Sequence, residues 1–211
     1  MVEWTAVTGM AAVALGMALM PGPNMFYLVS RALSQGRRAG VVSLCGVAAG
    51  FLTYLVAAVA GLTAVFTTVP VAYTVLKFGG AVYLLYLAWQ AFRPGAGSPF
   101  TPRPLKPVSG LRLFSMGYVT NLLNPKIAML YVSLLPQFVE PERGAVAAQS
   151  LWLGLVQVTV AVAVNGVIML SAASLSRFLT GRPGWMRAQR AVMGGVLAGF
   201  AVKLAVEPHR V

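Results

Sequence analysis

The chain has 211 residues, 58% of them apolar and 9% charged, and its sixteen Lys and Arg against four acids give a net charge of +12. So few polar groups cannot clothe a soluble globule of this size, which makes the chain an integral membrane protein. The acids are Glu3, Glu140, Glu142 and Glu207, and the basic residues lie in short clusters between apolar runs, a pattern that excludes a basic nucleic-acid-binding face.

A spanning helix needs about 20 apolar residues, and the charges cut the chain into runs of that order. Residues 4–30 carry no charge. With no basic stretch ahead of them, they read as a retained helix and not a secretory leader. This helix contains "PGPN", where Pro21, Gly22 and Pro23 break it. Residues 39–76 are too long for one crossing, and "FTTVP" at 66–70 splits them. The second crossing carries Lys77, a candidate polar site that also lies near enough to an interface to snorkel, and ends near Phe92. A Pro-, Gly- and Ser-rich linker fills 93–110. The fourth run, 113–139, holds Asn124, Pro125 and Lys126; the fifth covers 146–172, and the sixth about 188–206. The predicted fold is an all-α membrane protein of six transmembrane helices in one domain, 1–211.

Six crossings return both termini to one side. Arg31, Arg37, Arg38, Arg93, Arg103, Lys106, Arg112, Arg177, Arg182, Arg187 and Arg190 fall on the other, which the positive-inside rule makes cytoplasmic. Both termini are then outside, and 93–110 is a cytoplasmic linker. "PNMFYLVS" from Pro23 and "PKIAMLYVS" from Pro125 lie about half the chain apart. Three helices per half, about 4–92 and 111–206, give the halves opposite orientation. Inverted repeats whose first helices are broken at matching places mark a transporter's substrate site.

A broken helix frees backbone groups that lipid cannot satisfy, so such breaks survive only in a protein interior or beside a cavity. Two half-helices, opening after Pro23 and Pro125, should point their positive N-termini at one anion. Lys126 stands midway along 113–139, out of snorkelling range, where an ammonium costs at least ~2.5 to 3.5 kcal/mol. It is expected to pair with a substrate carboxylate, so Lys126→Met should stop transport and leave stability unchanged or raised. Asn24 and Asn124 are expected to shape the joints, and Asn165 and Tyr131 to supply polar lining. Gly46 and Gly50 form a small-residue pair for close helix contact, a face that also suits a homodimer. The lone Cys45 and the tail residue His209 leave no disulfide, triad or zinc site, so no enzyme, metal or cofactor is expected.

"PGPN", "VLKFGGAVYLLYLAWQAFR" around Lys77, and "GYVTNLLNPKIAMLYVSLLPQFV" around Lys126 resemble the LysE/RhtB family of bacterial amino-acid exporters, of the homoserine/threonine exporter type. The similarity runs through nearly the whole chain. It implies proton-coupled export of amino acids or related metabolites across the bacterial inner membrane. Some relatives carry an acid just after the glycine matching Gly50, where this chain has Phe51; others have Asp where Asn165 stands. With no acid between Glu3 and Glu140, a neutral amino acid suits the lining better than a dibasic one. Lys126 is then the mid-membrane group left to carry a proton. A passive channel for small polar solutes and a non-transporting scaffold are the competing readings.

Overall fold

A computed structural model of the chain describes residues 2–68 and 105–179, with single positions at 82, 85, 86, 89, 184, 188, 191, 195, 198, 199 and 202. Among the described residues there is no strand. The helices are α1 (Trp4–Leu19), α2 (Pro23–Gln35), α3 (Arg37–Thr68), α4 (Gly110–Leu122), α5 (Pro125–Met129), α6 (Val146–Leu170) and α7 (Ala172–Leu179). A π turn, Leu130–Leu134, and a 3-10 turn, Leu135–Phe138, extend α5; a second 3-10 turn covers Pro141–Arg143.

The expected breaks are present. α1 and α2 are together apolar enough for one span and meet at a bend of 55°. At that bend Met20 and Gly22 are extended, and Pro23 opens α2 at its first position, where a missing N–H costs nothing. The 113–139 run breaks between Leu122 and Pro125, again with proline at the start of the second piece. α3 over 37–61 and α6 over 146–170 are long and apolar enough to cross a membrane, and the bent pair is a third candidate when its two helices are taken together as one span. Val56, Trp152 and Val167 stand exposed on these helices, as lipid-facing side chains do. The crossings expected around 70–92 and 188–206 fall almost wholly outside the described residues, as do Lys77 and the linker up to residue 104.

α3 and α4 meet backbone to backbone. A methyl group at Gly46 would overlap the Phe114 carbonyl, and one at Gly117 would overlap the Ser43 carbonyl. At Gly50 it would lie 2.7 Å from Cβ of Asn121. The small-residue face is therefore used within the chain, and it offers no argument for a dimer. Tyr27 fastens α2 to this pair, its hydroxyl donating to the Leu113 carbonyl (2.5 Å) and accepting from Ser43 (3.1 Å).

Contacts also sort the loops. Arg143 pairs with Glu3 and Glu140, which joins the start of α1 to the loop before α6. Hydrogen bonding to Glu140 raises the Arg143 pKa above its ordinary value. At the opposite end of α2, Arg31 donates to the Lys106 carbonyl (3.3 Å) and Gln35 to the Val108 carbonyl (3.1 Å). The basic stretches at 31–38 and 105–112 thus share one end, and the acidic loop shares the other with the N-terminal residues.

Candidate functional site

Breaking a span leaves two sets of orphans, the last carbonyls of the first piece and the first N–H groups of the second. At the first break Lys126, brought from α5, donates through Nζ to the carbonyls of Met17 and Met20, both at 2.9 Å. A cation on the C-terminal carbonyls of α1 has the favourable sign for the helix dipole. Gly22 makes room for it, since a methyl group there would lie 3.0 Å from Nζ. No side chain caps the N-terminus of α2. The second break is closed differently. Tyr54 donates to the Leu122 carbonyl (2.7 Å), and Oδ1 of Asn124 accepts from the Lys126 backbone N–H (3.1 Å), an N-cap for the piece that follows.

Beside the first break lies a cavity of about 20 Å³, room for about one water. Asn24, Lys126, Gln157 and Asn165 bring its polar atoms; Met17, Met25, Phe51 and Leu130 are among its apolar walls. Each polar side chain has a definite remainder to offer. Lys126 has three donors and spends two on carbonyls. Asn165 gives its Nδ2 to the Ala161 carbonyl (2.7 Å), which leaves Oδ1 as an acceptor. Asn24 Oδ1 is buried with no hydrogen-bond partner. Gln157 accepts at Oε1 from the Tyr131 hydroxyl (2.6 Å), so its Nε2 is the amide atom left to an occupant. Two donors and two acceptors therefore surround one space.

Of the residues expected at the site, Asn24, Lys126 and Asn165 are brought together here. Tyr131 stands behind the wall and reaches it through Gln157. Asn124 acts as a cap; its Nδ2 is buried without a partner. The expected pair of converging helix ends is halved, since only the N-terminus of α2 is uncapped at the cavity. Lys126 satisfies two carbonyls to which no other side chain among the described residues is seen to donate. Removing it should therefore lower stability, which reverses the expectation from its burial alone.

Gln157 is missing from the sequence-derived set, yet a signal for it exists. Gln149, Leu153, Gln157, Ala161, Asn165 and Met169 follow at intervals of four along one ridge of α6, and all are buried. Every second residue of that ridge is an amide. Such spacing puts Gln157 about two turns from Asn165 on the same inward face.

Two bent or broken helix pairs, a buried cation and a small polar cavity beside them are the features of a membrane transporter. The LysE type translocator family matches residues 15–208. The chain belongs to that family. It is 25% identical over 202 residues to the leucine efflux protein of Salmonella typhimurium strain LT2, covering 96% of this chain and 93% of that one. It is 28% identical over 189 residues to the uncharacterized membrane protein YahN of Escherichia coli K12, covering 89% and 83% respectively. No solved structure matches the chain.

Proposed function

We propose that this protein is a secondary active exporter of neutral, zwitterionic amino acids, with its substrate held between Asn24, Lys126, Gln157 and Asn165. The observation that carries this reading is the division of labour in the cavity. The free donors of Lys126 and Gln157, with the uncapped N-terminus of α2, suit a carboxylate. The acceptors left on Asn24 and Asn165 suit an ammonium. Phe51, Met17, Met25 and Leu130 leave an apolar surface for the side chain, and among the described residues no carboxylate lines the cavity to neutralise a second cation. The leucine efflux name of a relative points the same way.

A cavity that holds about one water must open before an amino acid enters, the behaviour of a carrier with alternating access and not of a standing pore. An overexpressing bacterial strain should release leucine, threonine or other neutral amino acids against a gradient and with saturation. Release of lysine or arginine alone would defeat the substrate assignment, and unsaturable downhill flux would make the protein a channel. Coupling to proton entry is part of the proposal, with Lys126 as the titrating group in the membrane. Export that depends on a pH gradient in wild type and loses that dependence in Lys126→Arg supports it; dependence that survives in the arginine variant defeats it.

The basic end is placed in the cytoplasm of the inner membrane, with both termini outside. Cysteines at Ser34 and Ser109 should resist an impermeant thiol reagent in intact cells, and one at Gly144 should react. The opposite pattern would invert the protein.

A further inference from the structure

Tyr131 is the bulkiest of the fully buried side chains, and its hydroxyl is used entirely outside the cavity. It sits in the π turn that follows Lys126, and π turns set a side chain at an angle a regular helix cannot provide. The ring stacks on Tyr54, with centroids 5.5 Å apart and planes 11° from parallel. Tyr54 is in turn fastened to the Leu122 carbonyl at the second break. A continuous strut thus runs from that break, through two stacked rings, to the Oε1 of Gln157 in the cavity wall.

An amide has an acceptor end and a donor end of nearly equal shape, and only its surroundings decide which one faces a ligand. Gln157 lies on α6, and among the described residues the Tyr131 hydroxyl is the hydrogen-bond partner of its head group. A phenol held by its own stacking can donate to Oε1, and it then leaves Nε2 turned to the cavity. We infer that Tyr131 is a positioning residue: it fixes the polarity of Gln157, so that the cavity presents a second donor beside Lys126 to the substrate carboxylate, and Tyr54 holds Tyr131 in register from the second break. This rests on the assignment of the cavity as a zwitterion site.

The test is a double-mutant cycle on Tyr131→Phe and Gln157→Met in the full-length protein, reconstituted in liposomes and assayed for uptake of each of twenty amino acids. Tyr131→Phe keeps the ring and its stacking and removes one oxygen. For whichever amino acid wild type transports, it should raise KM about 3- to 10-fold, the worth of one hydrogen bond, with kcat retained. Gln157→Met should raise KM at least as much. In the Gln157→Met background, Tyr131→Phe should add nothing to KM, because its only route to the substrate is gone. Multiplying KM effects in the double variant, or a loss in kcat with KM unchanged, would overturn the inference while leaving the site assignment intact. Tyr54→Phe keeps the stack and loses the tie to the second break: in that background Tyr131→Phe should raise KM by a smaller factor than in wild type, and an undiminished effect would overturn the role given to Tyr54. If wild type transports none of the amino acids, the functional assignment fails and this inference with it.

Discussion

At the first break, around residues 20–22, the carbonyls of Met17 and Met20 are bound by a lysine side chain from elsewhere in the chain, and the N-terminus of α2 has no side-chain cap. At the second, around 123–124, the Leu122 carbonyl is bound by Tyr54 and the following piece is capped by its own Asn124. Both breaks put proline at the start of the second piece, and both place asparagine next to it. The order differs, Pro-Asn at 23–24 and Asn-Pro at 124–125. An asparagine before the proline sits at the N-cap and satisfies the backbone; one after it sits inside the helix and its amide is free to face the cavity. That single transposition makes one joint self-contained and leaves the other open to a ligand.

The contrast can be broken most directly at Lys126, the residue that belongs to the second break and serves the first. Lys126→Met should abolish export from loaded cells, and it should lower the unfolding temperature in detergent, a loss of about 2 kcal/mol for hydrogen bonds to a charged donor. Unchanged stability would show that the carbonyls of α1 find other partners and that the first break is not dependent on the second.

The two asparagines sharpen the comparison. Asn124→Ala should cost about 1 kcal/mol of stability, the worth of an N-cap, and keep export in proportion to the protein that folds. Asn24→Ala should do the reverse, with no stability lost, because its Oδ1 has no partner to lose, and a KM about 3- to 10-fold higher. Equal behaviour of the two variants in melting and transport assays would erase the distinction. The smallest effect is expected from Tyr54→Phe: about 0.5 to 1.5 kcal/mol from the Leu122 carbonyl, seen in thermal melts, with export little changed.

Much of this architecture is legible in the amino-acid order. Proline inside apolar runs locates both breaks, and the run from 146 onward gives α6 to within two residues. A lysine midway through a span announces a polar interior. What it touches is another matter, since its carbonyl partners lie 109 and 106 residues away and no local pattern names them. Asn124 could have been read as a cap from its place before Pro125, since N-cap Asn followed by Pro is a local signal. Gln157 needed the four-residue ridge of α6 to be followed through its amides. The π turn left one trace: "PKIAMLYVS" is a residue longer than "PNMFYLVS", and a π turn absorbs one extra residue without leaving the helix.

The glycine contact between α3 and α4 bears on how this molecule can move. Helices separated by a layer of side chains slide by letting those side chains change rotamer; Gly46 and Gly117 leave no such layer, only backbone on backbone, and Gly50 lies against the Asn121 side chain. α3 and α4 therefore travel as one rigid body, and Tyr27 hands part of that rigidity to α2. The extended stretch at residues 20–22 joins this body to α1. The ammonium of Lys126, brought from α5, bonds the α1 side of that stretch, so a swing of α1 there must first give up the bonds to Met17 and Met20.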